Sequence, residues 1–178
     1  MLNYLKRKNL KIGLLGGSFN PPHKGHVAIS NISIKKLDLD YLIWIVSKKN
    51  PFKKKPILNI QARIKLSEEI LRSIKKIKVE YLDEQINSSK SYDLLKFLKK
   101  FNKSSKYFFI IGADNLINFH KWYKWKLISQ KCNILVFDRQ GYKAKSLKSI
   151  TFKQLNQKSL EFIKFKKVNI SSSQLRKI

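Results

Sequence analysis

The chain contains a single cysteine, Cys132, among its 178 residues. One cysteine cannot form an intramolecular disulfide, and it cannot supply a multi-cysteine metal cluster. It fits a reducing compartment, so we expect a cytoplasmic protein. No run of apolar residues approaches the roughly 18 residues that a transmembrane helix needs, and we expect no membrane partner. The fold must therefore be stabilised by a hydrophobic core without covalent cross-links.

Acidic side chains are also scarce, since 11 Asp and Glu residues stand against 39 Lys and Arg residues, for a formal net charge of +28. Such an excess of Lys and Arg can favour the binding of nucleic acids, because these side chains release counterions from a polyphosphate when they bind it. Here lysine is spread along the whole chain, and the lysine runs are short. We therefore expect an attraction for small anions such as nucleotides, and no specific nucleic-acid partner.

Short, almost uniformly apolar segments alternate with segments of helical periodicity. Strands are predicted at 10–15, 41–46, 79–82, 107–111, 132–137 and 160–165, and helices at 24–37, 60–74, 92–101, 113–129 and from 171. Residues 142–159 give no clear pattern. Strands that are apolar on both faces are typical of a parallel sheet covered by helices. We predict a Rossmann-like, doubly wound α/β fold with a mainly parallel sheet and helices on both faces, in one domain over residues 1–178. Ligands bind beyond the carboxyl ends of such strands.

The first predicted strand runs into the segment GGSFNPPHKGH at residues 16–26. Its paired glycines, Gly16 and Gly17, let the backbone approach a phosphate and turn N–H groups towards it. His23 and His26 are three positions apart, so they face one side of a helix's first turn. The positive end of the helix dipole would attract the same anion. The segment predicts a phosphate site. No Cys, Asp or Glu completes a metal site here, and no Gly-Lys-Ser/Thr ending makes a P-loop.

This segment resembles the signature of the HIGH superfamily of nucleotidyltransferases, most closely that of the bacterial nicotinate-nucleotide adenylyltransferase family. In that family the histidines grip the phosphates of ATP, and no covalent intermediate forms. Asn20 stands where the family more often has Asp, and we expect it to shape the turn. The resemblance implies catalytic roles for His23 and His26. It implies ATP contacts for Gly16, Gly17, Ser18, Phe19, His23 and His26.

A second phosphate-binding segment is predicted near the C-terminus, at Ser171, Ser172, Ser173 and Arg176. Hydroxyls at a helix start can cap the helix and also donate to a phosphate. An arginine one turn later can add a charge-assisted hydrogen bond. The segment is similar to the family's Ile-Ser-Ser-Thr-x-Ile-Arg. The resemblance implies that all four residues bind ATP and that Arg176 acts in catalysis.

Gly112 and Asp114 follow the predicted strand at 107–111 and resemble the family's Ile-Gly-x-Asp segment. Glycine at a strand end permits close approach of a ligand to the backbone. Asp114 can accept hydrogen bonds from a ribose or help to hold hydrated Mg²⁺. The resemblance implies that both residues bind ATP.

The resemblance also implies a site for nicotinate mononucleotide. Trp122 and Tyr123 match a Trp-Tyr pair beside the nicotinate ring in the family, and an electron-poor pyridinium stacks well on such rings. Ser91 and Tyr92 lie in a segment similar to one whose backbone amides bind the nicotinate carboxylate. Lys53 is a candidate for the mononucleotide phosphate.

The activity implied is adenylyl transfer from ATP to nicotinate mononucleotide, which gives nicotinate adenine dinucleotide and pyrophosphate in NAD biosynthesis. Mg²⁺ is expected to be held mainly by the ATP phosphates, with no metal site built from the protein. Two related activities stay open, with nicotinamide mononucleotide or phosphopantetheine as the acceptor, because side-chain identities alone do not separate acid from amide. A more remote alternative is a basic nucleic-acid-binding protein without catalysis.

Overall fold

A computed structural model describes residues 2–48, 56–138, 141–155 and 160–164. Its strands form one parallel sheet of six, in the order β3-β2-β1-β4-β5-β6. They are β1 (Lys11–Gly17), β2 (Tyr41–Val46), β3 (Ile77–Glu80), β4 (Lys106–Gly112), β5 (Asn133–Phe137) and β6 (Leu160–Ile163). The order reverses between β1 and β4, so the ligand crevice of the doubly wound sheet lies there. The predicted fold class is confirmed.

Helices connect the strands. They are α1 (Lys24–Leu37), α2 (Ile60–Ile70), α3 (Ser91–Phe101), α4 (Ala113–Asn118), α5 (Trp125–Lys131), α6 (Lys143–Leu147) and α7 (Ile150–Gln154). Short 3-10 helices lie at Asn3–Leu5 and Phe119–Lys121. In the part of the chain described here, no helix combines the length and the apolar character needed to cross a bilayer.

Several elements differ from the predictions. The helix predicted over 113–129 is divided into α4, the 3-10 helix Phe119–Lys121 and α5, because the backbone leaves the helical conformation at Trp122, where ψ is 141°. α2 ends at Ile70 and not at 74, because the N–H of Leu71 turns back to the carbonyl of Glu68. β3 covers Ile77–Glu80 and not 79–82, because its pairing with β2 begins at Ile77 opposite Leu42. Leu82 lies beyond the end of β3, and its apolar side chain packs in the core. Residues 142–159, which gave no clear pattern, contain α6 and α7.

The core has two halves, one on each face of the sheet. Successive side chains of a strand point to opposite faces, so Ile43 and Trp44 of β2 enter different clusters. Helices α1 and α2 cover the Trp44 face, whereas α3 and α5 contribute Leu95 and Ile128 to the other face. Helices thus lie on both faces, as predicted.

Strand β3, at one end of the described sheet, half-buries a carboxylate. The hydroxyl of Tyr4 donates to Oε1 of Glu80 at 2.9 Å. Burial raises the pKa of the Glu80 carboxyl above its ordinary value of 4.5. Because the folded protein binds this proton more tightly than the unfolded chain, the stability contribution of Glu80 is largest below that ordinary value. It decreases as the pH rises through the folded pKa.

We therefore expect Glu80→Gln, which keeps an acceptor for Tyr4 but removes the charge, to be relatively more stable at pH 7 than at pH 4. The difference in Tm between variant and parent should therefore increase from pH 4 to pH 7. The expected increase is only about 1–3 °C, because Glu80 is half-buried and solvent screens its charge. Thermal unfolding at both pH values measures it. Glu69→Gln, on the exposed side of α2, is the control, and a pH-independent difference for Glu80→Gln would contradict the argument.

Candidate active site

The glycine-rich segment lies at the carboxyl end of β1, beside the point where the strand order reverses. Gly17 is the last residue of β1, opposite Val46 of β2. A Cβ atom built at Gly17 would lie 3.2 Å from the ring of Phe19, so glycine allows this ring to pack closely. A Cβ atom at Gly16 would meet no atom within 4 Å, so the backbone there borders open space. The segment therefore occupies the crevice of the sheet, as predicted.

His23 and His26 cap the start of α1 reciprocally. The N–H of Gly25 donates to Nδ1 of His23 at 3.1 Å, and the N–H of His23 donates to Nδ1 of His26 at 3.2 Å. Their ring centroids are 3.8 Å apart. An Nδ1 atom that accepts an N–H carries no proton, so each neutral ring has its proton on Nε2. The caps thus select the tautomer in which both Nε2 atoms are donors.

Aromatic rings support His26 from the protein interior. Phe19 is 1% exposed. Its ring stacks on that of Trp44 with centroids 4.6 Å apart and lies 4.9 Å from the His26 ring. The indole Nε1–H of Trp44 donates to Oγ of Ser30 on α1 at 2.8 Å. The position of the His26 ring therefore depends on β2, α1 and the segment between β1 and α1.

Asn20 connects the glycine-rich segment to the chain before α2. Its Oδ1 accepts the N–H of Leu58 at 3.0 Å, and the residue is buried. The sequence predicted that Asn20 shapes the turn. The structure adds a contact between residues 38 positions apart.

Arg63 of α2 reaches the same edge of the sheet and is 2% exposed. Its Nη1 donates to the carbonyl of Ser18 at 2.7 Å and to that of Ser47 at 2.8 Å. Burial lowers the pKa of the Arg63 guanidinium, although the charge of Asp83 opposes this. One buried cation thus bonds to the segments that follow β1 and β2.

Sequence reasoning missed Arg63, although a signal was present. Residues 60, 63, 64 and 67 follow the i, i+3, i+4, i+7 spacing of a buried helix face. Ile60 and Ile64 pack against the core, while Arg63 and Ser67 on the same face are buried polar residues. An arginine on an otherwise apolar helix face indicates a buried guanidinium, and a buried guanidinium needs hydrogen-bond acceptors nearby.

Gly112 and Asp114 lie where β4 passes into α4. Gly112 is the last residue of β4 and the N-cap of α4, and Asp114 lies in the first turn. A Cβ atom at Gly112 would collide with Oδ1 of Asp114, so a larger residue at this position would require the carboxylate to shift. Because β1 and β4 are adjacent and parallel, both residues are at the same edge of the sheet as the histidines.

Tyr92 and Tyr123 come together in a cluster that we call the tyrosine–lysine cluster, formed with Lys90 and Lys124. The two rings meet edge to face with centroids 6.0 Å apart. Nζ of Lys124 lies 5.0 Å and 5.1 Å from the two ring centroids, and Nζ of Lys90 lies 4.4 Å from that of Tyr123. Tyr123 is 46% exposed. Ser91 precedes Tyr92 as the first residue of α3.

Trp122 has a different environment from its neighbour Tyr123. Its ring lies 4.9 Å from that of the buried Phe119 and packs against the core. The predicted Trp-Tyr pair therefore combines a partly buried Trp122 with a half-exposed Tyr123.

The remaining predicted site residues lie outside the described part of the chain. They are Lys53, Ser171, Ser172, Ser173 and Arg176. Their roles stay predictions from the sequence.

Comparisons with known proteins agree with this geometry. The profile of the cytidylyltransferase-like family matches residues 14–178. A relative from Pelagibacter ubique named "Probable nicotinate-nucleotide adenylyltransferase" is 55% identical over 176 residues, which cover 99% of this chain and 97% of the relative. A relative of the same name from Brucella suis is 38% identical over 133 residues, which cover 74% of this chain and 68% of the relative.

Among solved structures, the fold is similar to that of the Plasmodium falciparum nicotinic acid mononucleotide adenylyltransferase complexed with NaAD. The TM-score is 0.75 at 21% identity, and the match covers 96% of this chain and 83% of that one. The resemblance noted for residues 16–26 is thus confirmed over nearly the whole sequence. The chain belongs to the nicotinate-nucleotide adenylyltransferase family of cytidylyltransferase-like proteins.

Proposed function

We propose that this protein transfers the adenylyl group of ATP to nicotinate mononucleotide, forming nicotinate adenine dinucleotide and pyrophosphate. The observation that carries the proposal is the reciprocal capping of His23 and His26. Two Nε2–H donors at a helix start, in the crevice of a doubly wound sheet, suit a polyphosphate. The relative that is 55% identical over nearly the full length supports the choice of acceptor.

The reaction needs no covalent intermediate. A phosphate oxygen of the mononucleotide attacks the α-phosphorus of ATP in line and forms the new P–O bond. The bond from the α-phosphorus to the bridging oxygen breaks, and its electron pair leaves with pyrophosphate. Because the attacking phosphate is already an anion, no general base is required. The protein contributes placement of two polyanions and stabilisation of the charge that develops between them.

Each described residue of the ATP half has a proposed role in this placement. His23 and His26 donate from Nε2 to ATP phosphates, and the backbone of residues 16–19 lines the same path. Gly112 makes room for the carboxylate of Asp114, which accepts from the ribose, and the backbone of Gly112 borders the nucleotide. Among the residues outside the described part, Ser171, Ser172 and Ser173 donate to phosphate and Arg176 stabilises the developing charge.

We propose that Mg²⁺ enters with ATP, held mainly by its phosphates. The described residues include no group of three or more His, Cys, Asp or Glu side chains placed to hold a metal ion. The carboxylate of Asp114 lies over Gly112 at the crevice. There it could accept a hydrogen bond from a water molecule of a hydrated cation. When bound, Mg²⁺ would neutralise phosphate charge.

For the mononucleotide half, we propose that Trp122 and Tyr123 flank the pyridinium ring, while Lys90 and Lys124 of the tyrosine–lysine cluster attract the negative charges of the mononucleotide. The half-exposed ring of Tyr123 supports this placement. Ser91 and Tyr92 would face the carboxylate, and Lys53 the phosphate.

We also propose that residues 1–178 form one nucleotidyltransferase domain that works in the cytoplasm without a specific nucleic-acid partner. Burial raises the pKa of the Cys132 thiol to about 12, which keeps this thiol unreactive.

The test is a side-by-side assay of the purified protein with ATP, Mg²⁺ and each of three acceptors: nicotinate mononucleotide, nicotinamide mononucleotide and phosphopantetheine. Pyrophosphate release and chromatography of the dinucleotide measure turnover. We expect kcat/KM for the nicotinate form to exceed the others by about tenfold or more. A preference for another acceptor would reassign the substrate. Tight, salt-sensitive binding of RNA or DNA without pyrophosphate release would favour the non-catalytic alternative.

A further inference from the structure

We infer that Arg63 is a positioning residue for the phosphate-binding segment. Its buried guanidinium ties the peptide after β1 to the peptide after β2, and it thereby fixes the segment that carries His23 and His26. The inference rests on the proposed function in one respect, because it takes residues 16–26 as the segment that binds ATP phosphates.

The hydrogen bonds of Arg63 close a ring of contacts at this edge of the sheet. Nη1 donates to the carbonyls of Ser18 and Ser47 at 2.7 Å and 2.8 Å, and Nε donates to the carbonyl of Asn59 at 3.4 Å. Ser47 in turn donates its N–H to the carbonyl of Gly17 at 3.0 Å. The chain after β1, the chain after β2 and the start of α2 are therefore held together by one side chain.

The peptide between Ser47 and Lys48 is held at both ends by opposite charges. Its carbonyl accepts from Arg63, and its N–H, that of Lys48, donates to Oδ2 of Asp83 at 2.9 Å. A cation at the oxygen and an anion at the hydrogen both favour the same orientation of the peptide dipole. Asp83 follows β3, so this arrangement connects the ends of three neighbouring strands.

The charge of Arg63 also acts on the phosphate-binding segment itself. A cation at the carbonyl of Ser18 polarises the peptide whose N–H belongs to Phe19, and a polarised N–H is a stronger donor to an anion. Among the described residues, no carboxylate lies within ion-pair distance of this guanidinium. A neutral amide could donate to the same carbonyls without the penalty of burying a charge. The cation adds what an amide lacks, a positive potential beneath the phosphates.

Loss of Arg63 should leave the reciprocal histidine cap in place, because those hydrogen bonds lie within residues 23–26. Loss of Arg63 instead changes the position of the phosphate-binding segment relative to β2, and it removes the positive electrostatic potential near that segment. Both effects weaken ATP binding and misplace the α-phosphorus, whereas partial unfolding would only reduce the amount of active enzyme.

The experiment compares Arg63→Met, Arg63→Lys and the control Arg72→Met, an exposed arginine just beyond α2. Steady-state kinetics are measured for each substrate well below every Tm. We expect Arg63→Met to lower kcat/KM for ATP by about 10- to 100-fold, with a rise in KM for ATP. Arg63→Lys, which keeps the cation, should fall between Met and the parent, and Arg72→Met should match the parent.

Unchanged kinetics in Arg63→Met, or a lower kcat with an unchanged KM for ATP, would overturn the inference. A lysine variant no better than the methionine variant would overturn its electrostatic part. Should Arg63→Met fail to fold, Asp83→Ala releases the other end of the Ser47–Lys48 peptide and should raise KM for ATP in the same direction. If the parent turns over no acceptor, the proposed function fails, and calorimetric titration of the same variants with ATP still tests the role of Arg63.

Discussion

His26→Asn is expected to remove most of the turnover while leaving the fold intact. An Asn side chain carries its polar atoms at the position of Nδ1, so it can still accept the N–H of His23. It has no donor at the position of Nε2, where the proposed contact with ATP is made. Loss of one preorganised donor to a reacting phosphate should lower kcat by roughly 100- to 1,000-fold, measured as pyrophosphate release at saturating substrates.

Two further variants separate chemistry from structure at this position. His26→Gln places an amide N–H near the position of Nε2, so it should recover part of the lost activity. A Gln at this third helical position can also accept the N–H of His23, so the cap can be kept. His120→Asn changes a histidine whose Nδ1 lies 3.0 Å from the carbonyl of Ile117, away from the motif, and should leave kcat unchanged. Near-normal turnover in a folded His26→Asn variant would remove the main argument for the proposed function.

Phe19→Ala is expected to have the largest effect on stability. The ring is almost fully buried, stacked on Trp44 and in contact with His26. Truncation of such a ring to a methyl group costs about 3–5 kcal/mol in free energy of unfolding. Denaturation in urea measures it, and Phe101→Ala, which removes a half-exposed ring, should have a much smaller effect.

The backbone at Phe19 makes a second comparison informative. Its φ of 45° is left-handed, a conformation that non-glycine residues adopt only at a cost of about 1–2 kcal/mol. Phe19→Gly loses the same ring but relieves this strain. We therefore expect the glycine variant to be more stable than the alanine variant by about 1 kcal/mol, against the usual order. The reverse order would show that residue 19 leaves this conformation when its ring is lost.

The features predicted well from the sequence are those whose signal lies within a few neighbouring residues. Strands β1, β2, β4 and β5 are largely apolar runs between polar turns, and the histidine pair lies within four residues of one helix start. Local geometry alone brings such residues together.

The features that sequence reasoning missed depend on contacts between distant residues. Arg63 is 45 positions from Ser18, and Asn20 is 38 positions from Leu58, so no local pattern reveals either contact. Apolarity also fails to distinguish a strand residue from a core residue outside the sheet, as Leu82 shows. Trp122 and Tyr123 are adjacent in the chain, yet packing against Phe119 partly buries the ring of Trp122, whereas the ring of Tyr123 is half-exposed.

Under the proposed function, the ring of hydrogen bonds around Arg63 separates two halves of the site. The described residues of the ATP half are braced against strand ends, so we expect little conformational entropy to be lost when ATP binds. The acceptor half is carried by α3 and by the chain before α5, which lie outside that ring. We therefore expect substitutions at residues 90–92 and 122–124 to alter the choice of acceptor without moving the phosphate-binding segment at residues 16–26.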